Sequence, residues 1–117
     1  MYGFNHRQHQ SILLMKKLIE SKRFGKILWA RGRYGKSVSN DFFQNWRSDI
    51  SKSGGGILID QGIHMLDLLN SFCGSFDLIQ SMKSYSYWKK NIEDNVFINL
   101  KNSKKNILCS MHSTMTQ

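Results

Sequence analysis

The stretch Ser53-Gly54-Gly55-Gly56-Ile57-Leu58-Ile59-Asp60-Gln61-Gly62-Ile63-His64-Met65-Leu66-Asp67-Leu68-Leu69-Asn70-Ser71-Phe72-Cys73-Gly74 decides the fold. Leu58, Gly62, Met65, Leu66, Leu69 and Phe72 recur at helical spacing and form one broad apolar face. Ser53 is placed to cap the helix, and Gly74 supplies the left-handed residue expected beyond its end. The glycines would occupy the first turn, where each costs about 1 kcal/mol of helix propensity. Three in a row are poor helix formers unless backbone must closely approach a ligand or another chain segment. Asp60 and His64 are four residues apart, which stacks side chains on one face of a helix, and Asp67 and Ser71 continue the stripe. A carboxylate one turn from an imidazole can raise its pKa and fix its orientation, as a general acid/base near neutral pH requires. The same spacing is frequent on solvated helix faces, so the pair alone does not make a site.

Outward from this helix, the pattern predicts an earlier helix from Gln8 to Arg23, with Ile12, Met15, Leu18 and Ile19 on one face and Gly25 just past its end. Lys26 to Tyr34 alternates as a strand, with Ile27, Trp29, Arg31 and Arg33 on one side. Gly35 to Ser53 reads as a long ordered loop, and loops of that length commonly carry function. Beyond Gly74 come three strand-like stretches, Asp77 to Tyr87, Asn95 to Leu100 and Asn106 to Ser113, the last two joined as an antiparallel hairpin by Asn102-Ser103-Lys104-Lys105. Helices first and antiparallel strands afterwards predict an α+β fold. Two helices should pack on one face of a predominantly antiparallel sheet, with Asp60 and His64 lining a cleft.

The 117 residues suit a single domain, and 40% hydrophobic with 21% charged residues is an ordinary globular composition. No apolar run approaches the roughly 20 residues that cross a bilayer, and the first residues lack the hydrophobic stretch of a signal peptide. Cys73 and Cys109 have no paired spacing, which indicates neither a disulfide framework nor a zinc knuckle. The expected location is cytoplasmic. The formal charge of +9 raises nucleic acid as a partner. The cations are dispersed, however, over Lys16, Lys17, Lys22, Arg23, Lys26, Arg31, Arg33, Lys36, Lys89, Lys90, Lys101, Lys104 and Lys105. No RNA-binding strand motif or zinc-finger spacing accompanies them, so neither nucleic acid nor membrane is expected as a partner.

Several blocks resemble the Gfo/Idh/MocA oxidoreductases nearly end to end. Gly3-Phe4-Asn5-His6-Arg7 is similar to the strand and loop closing that family's cofactor-binding domain. Ile19-Glu20-Ser21-Lys22-Arg23-Phe24-Gly25-Lys26-Ile27 resembles the helix, glycine turn and strand that lead into the second domain. Trp46-Arg47 followed by Ser53 through His64 is the most specific block, and Glu93-Asp94-Asn95-Val96-Phe97 matches a later strand opening. The resemblance implies residues 1–7 from the end of a cofactor-binding domain and 8–117 from a C-terminal α+β domain. It implies hydride transfer between a sugar, cyclitol or similar polyol and NAD or NADP. His64 would be the proton-transferring or substrate-hydroxyl-binding histidine, and Asp60 the aspartate that binds substrate or supports it. Asn5, Arg7, Trp46 and Arg47 would line the pocket, although Arg7 suits a structural ion pair and Trp46 a core position equally well. The resemblance also implies homo-oligomers formed through the sheet. The family's glycine-rich fingerprint and its Glu-Lys-Pro segment with the catalytic lysine are not in these residues. The chain is therefore expected to be a truncated second domain of a Rossmann-type dehydrogenase, inactive alone and without tight dinucleotide binding.

Three other readings compete. Ala30-Arg31-Gly32-Arg33-Tyr34-Gly35-Lys36-Ser37 fits a relaxed phosphate-binding loop, with Lys36 on the phosphates, Ser37 on the metal and Ile57-Leu58-Ile59-Asp60 as an apolar strand ending in a magnesium-binding Asp. Against it, Val38-Ser39-Asn40-Asp41 reads as loop where a helix should open. His6, His9, Asp60 and His64 have ligand types that suit zinc, but the implied reaction needs no metal and none is expected. The third is a non-catalytic α+β module for oligomerisation or interaction, in which Tyr85, Tyr87 and Trp88 form an exposed aromatic face.

Overall fold

A computed structural model of the chain describes residues 3–88 and 91–116. Met1, Tyr2 and Gln117 lie outside them, as do Lys89 and Lys90 of the dispersed cations. The regular elements in chain order are α1 (Gln10–Glu20), β1 (Trp29–Gly35), α2 (Ile50–Ser53), α3 (Ile63–Cys73), β2 (Leu78–Ser84), β3 (Asn95–Asn102) and β4 (Ile107–Thr114).

The predicted hairpin is the centre of a four-stranded sheet of order β1-β4-β3-β2. Its strands pair antiparallel with Asn95 opposite Thr114 and Asn102 opposite Ile107. The turn closes because Asn106 accepts a positive φ and the buried Asn102 side chain accepts from Lys105 N–H while donating to Cys73 C=O. β2 pairs antiparallel with β3, whereas β1 runs parallel to β4. The sheet is thus mixed but mainly antiparallel, and the α+β expectation holds.

Alternation divides the sheet into two faces. Val96, Ile98, Leu100, Cys109 and Met111 point inward and join Ile57, Leu69 and Cys73 in the core. α3 crosses this face over β1 and β4, and small residues let it approach. A Cβ on Gly32 would lie 2.5 Å from Met65 Sδ, and one on Gly62 would lie 2.8 Å from Ser113 Oγ. On the opposite face the row Trp29, Leu108, Lys101 and Leu78 runs across all four strands.

α1 is shorter than predicted and peripheral. His9 accepts the Ser11 N–H as N-cap, so the helix opens at Gln10, and it contains no buried residue. Of its expected face Ile12 and Ile19 are half-buried, while Met15 and Leu18 are 46% and 38% exposed. The predicted loop from Gly35 to Ser53 is ordered by short helical turns at Asn40–Gln44 and Trp46–Ser48 and by α2. Phe42 anchors it in the core, and Phe43 packs on Trp88 with ring centroids 4.8 Å apart. Trp88 is therefore part of the core margin, while Tyr85 and Tyr87 are exposed, which divides the proposed aromatic face.

Candidate active site

The glycine run lies before the long helix and not in its first turn. Gly54 is the left-handed C-cap of α2, with φ 76°. Gly56 is pressed against Glu93: an added Cβ would stand 2.2 Å from the Glu93 carbonyl oxygen and 2.7 Å from its nitrogen. Ile57 N–H donates to that same carbonyl, and the buried Glu93 carboxylate accepts from Gly56 N–H at 2.9 Å and Leu58 N–H at 3.2 Å. The close approach that the glycines permit is therefore to another chain segment. A carboxylate at this position also complements the unpaired N–H groups and positive end of the helix beyond it.

The next residues, Leu58–Gly62, form a π-helical turn that continues into α3. A π turn bonds i to i+5 and so inserts about one extra residue relative to an α turn, a distortion often met at functional sites. Asp60 lies within this turn. Its carboxylate faces the loop that follows β1: Oδ1 accepts from Arg47 Nε at 3.3 Å, and Oδ2 pairs with Lys36 Nζ at 3.6 Å and accepts from Gln61 Nε2 at 3.2 Å. The predicted Asp60–His64 contact is replaced by these partners. Trp46, Arg47, Ser53, Gly55, Ile59 and Asp60 enclose a small pocket of about 110 Å³. Arg47 lies over the Trp46 ring, 4.7 Å from its centroid, which fixes the plane of the guanidinium.

His64 sits one turn further on, in an aromatic column. Its ring is 4.5 Å from that of His6 and meets Phe4 edge-on at 5.9 Å, and His6 stacks on Tyr34. Its Nδ1 is buried without a hydrogen-bond partner. A buried polar nitrogen left unpaired is unfavourable and suits a position that a ligand completes.

The remaining predicted residues divide. Trp46 and Arg47 are on the pocket wall beside Asp60. Arg7 forms a two-point ion pair with Asp67 on α3, which holds its pKa above the ordinary value and fastens the turn Asn5–Gln8 to that helix. Asn5 is exposed, and its backbone N–H donates to Gly3 C=O. Ser71, the other member of the stripe, donates to Leu68 C=O on its own helix. Sequence reasoning missed Lys36 as a partner of Asp60 and Glu93 as the cap of the glycine segment. No local spacing could have found either, because the contacts span long separations.

The competing motifs do not assemble. Ala30 to Gly35 of the phosphate-loop reading lie in β1, paired along β4, and Ser37 just beyond it bridges to Thr116, so no helix opens at Lys36. Among the described residues no group of three His, Cys, Asp or Glu side chains is placed to hold a metal, and His9 is engaged with Ser11. Among them, too, no helix is long and apolar enough to cross a membrane.

Comparison with known proteins agrees with this fold. Residues 12–117 match the model of the GFO/IDH/MocA C-terminal domain. The chain is 34% identical over 86 residues to a levoglucosan dehydrogenase of Pseudarthrobacter phenanthrenivorans, covering 72% of this chain and 22% of that protein. A solved levoglucosan dehydrogenase in complex with NADH and levoglucosan superposes with a TM-score of 0.87 at 27% identity, covering 97% of this chain and 33% of that one. The WlbA dehydrogenase of Bordetella pertussis, in complex with NADH and UDP-GlcNAcA, shares the fold at a TM-score of 0.84 and 23% identity, covering 95% of this chain and 34% of that one. The chain thus spans about a third or less of the length of these relatives.

Proposed function

The chain belongs to the GFO/IDH/MocA family as C-terminal domain sequence, and from that premise we propose that it forms the substrate side of an NAD(P)-dependent oxidoreductase acting on a sugar, cyclitol or similar polyol. The observation that carries the reading is the junction of the π turn with α3. There Asp60 is held in a charged pocket, and His64, one turn on, presents a buried nitrogen with no partner. Levoglucosan dehydrogenase, a relative above 30% identity, supports a sugar-like substrate and a nicotinamide cofactor.

The described residues do not fit the phosphates of a dinucleotide. The close approach at Gly56 is taken up by Glu93 backbone, and the chain at Lys36 and Ser37 prolongs the strand pairing instead of opening a helix. Cofactor binding is therefore assigned to the family's other domain, and the proposal gives this chain only the substrate-side steps. An alcohol loses hydride from its carbinol carbon more readily as a base takes the hydroxyl proton. His64 takes that proton through its imidazole ring. Asp60, fixed by Arg47 and Lys36, accepts hydrogen bonds from neighbouring substrate hydroxyls. Trp46 supplies an apolar wall for a sugar face. Asn5 and Arg7 are given no direct contact, because Arg7 is committed to Asp67.

The test is His64→Ala in the complete enzyme, followed by NAD(P)H formation. Turnover should fall by a factor of about 100 or more, the usual worth of a positioned acid/base group. Near-normal turnover would remove His64 from the role. The proposal places the complete protein in the cytoplasm and as a homo-oligomer. The outer sheet face supports the latter, since Trp29, Leu78, Met82, Phe97 and Leu108 are all exposed on it. That face is also what favours the second reading, a non-catalytic oligomerisation module, which loss of all hydride transfer in an assembled protein would bring forward.

A further inference from the structure

One carboxylate needs one cation, yet Asp60 has two. Arg47 Nε stands 3.3 Å from Oδ1 and Lys36 Nζ 3.6 Å from Oδ2, reaching it from different parts of the loop after β1. Two like charges converging on one carboxylate repel each other, and a second anion between them relieves that repulsion. The other carboxylate near this pocket, Glu93, is turned inward and satisfied by Gly56 N–H and Leu58 N–H. Asp49 is paired with Lys52. Among the described residues the Arg47 guanidinium engages Asp60 through Nε alone, which leaves its Nη edge as a fork of donors, held flat by Trp46. Such a fork matches the two oxygens of a carboxylate. Both cations remain about 40% exposed, Lys36 at 39% and Arg47 at 42%, so an incoming group can reach them.

We propose that Lys36 and Arg47 form an anion subsite that selects a carboxylate-bearing polyol, a sugar acid, over the neutral sugar of the same ring. The proposal rests on the polyol oxidoreductase reading and names its substrate class. Asp60 plays two parts. Its oxygens hold the cations in register, and its charge reduces their sum to that of one cation, which matches a carboxylate monoanion better than a phosphate dianion. Lys36 is the specificity-determining residue, because a bare ammonium at this distance adds charge with little demand on geometry.

The experiment uses the full-length protein and pairs of probes that differ only in one group: glucuronate against glucose, galacturonate against galactose, and glucose 6-phosphate as a dianion. Binding is measured by calorimetry with and without NAD, and NADH formation is followed in parallel. We expect each uronate to bind at least about tenfold more tightly than its neutral partner, the worth of one charge-assisted hydrogen bond. In Lys36→Gln the ratio of uronate to neutral affinity should fall about tenfold, and Lys36→Arg should keep it. Equal binding of acid and neutral sugars, preference for the phosphate, or a ratio unmoved by Lys36→Gln would overturn the subsite. NADH formation from neutral sugars alone overturns the subsite but leaves the oxidoreductase reading. Tight uronate binding without any hydride transfer does the reverse, and failure of both overturns both.

Discussion

At the scale of single residues, the three glycines of the run have different jobs, and the last two predict different sensitivities. Gly54 needs a left-handed backbone, a Cβ added at Gly55 would stand 3.0 Å from the flexible Ile59 side chain, and one added at Gly56 would collide with the Glu93 backbone. A side chain can rotate away, but backbone that also carries the Ile57–Glu93 hydrogen bond cannot move without losing it. Gly56→Ala should therefore destabilise the fold by about 3 kcal/mol, the upper range for forced overpacking, and Gly55→Ala by about 1 kcal/mol. Urea unfolding of the two variants decides the matter, and equal midpoints would mean that the Gly56–Glu93 contact is not what fixes the segment. The run of three glycines in the sequence points to a close approach. It could not say to what, because Glu93 lies 37 residues away.

Between elements, the join of α3 to β4 carries a pH dependence of its own. Cys73 at the end of α3 is fully buried against Cys109 of β4, and burial, with the neighbouring thiol, pushes its pKa from 9.0 up to about 12. The unfolded chain releases that proton near 9 while the folded chain keeps it. Stability is then complete below pH 9 and is lost as the pH rises towards 12, with a slope of about 1.4 kcal/mol per pH unit for one group. Unfolding of the native domain measured from pH 8 upward should show this fall, and Cys73→Ala should flatten it; an unchanged slope in that variant would place the effect elsewhere. Periodicity made the elements themselves legible: α3, the hairpin and the strand before it all follow from it. It failed where the backbone departed from standard geometry or lacked a tertiary partner. The π turn at Leu58–Gly62 has the same kinds of residue as an α turn would, so spacing alone does not reveal it. The apolar face of α1 was read as core, but no element of the described residues covers Met15 or Leu18. Pairing direction was equally hidden, since β1 and β4 lie far apart in sequence and their parallel pairing is a tertiary contact, with α3 packed across both.

For the whole molecule, the two faces of the sheet pose unequal problems. One is closed by α3 and the loop after β1, while the other presents Trp29, Leu78, Met82, Phe97 and Leu108, each at least half exposed. The strand register places them on one surface in two apolar clusters, Trp29 with Leu108 and Phe97 with Met82, separated by the polar row Arg31, Ser110, Asn99 and Gln80, with Leu78 set apart from Leu108 by Lys101. Patches of this kind mark interaction sites, and a surface that pairs with its own copy by a two-fold axis needs no other partner. Phe97 is central to it, stacked on His112 with centroids 4.0 Å apart, and Arg31 and Arg33 border that ring on β1. Leu108→Glu or Phe97→Glu would bury a carboxylate against its symmetry copy, since an axis near the patch centre brings like residues together. We expect either change to weaken self-association of the complete protein by tenfold or more in sedimentation equilibrium, without moving His64 chemistry on the opposite face. A complete protein that is monomeric at high concentration, or one whose assembly ignores both substitutions, would show that this face meets something other than itself.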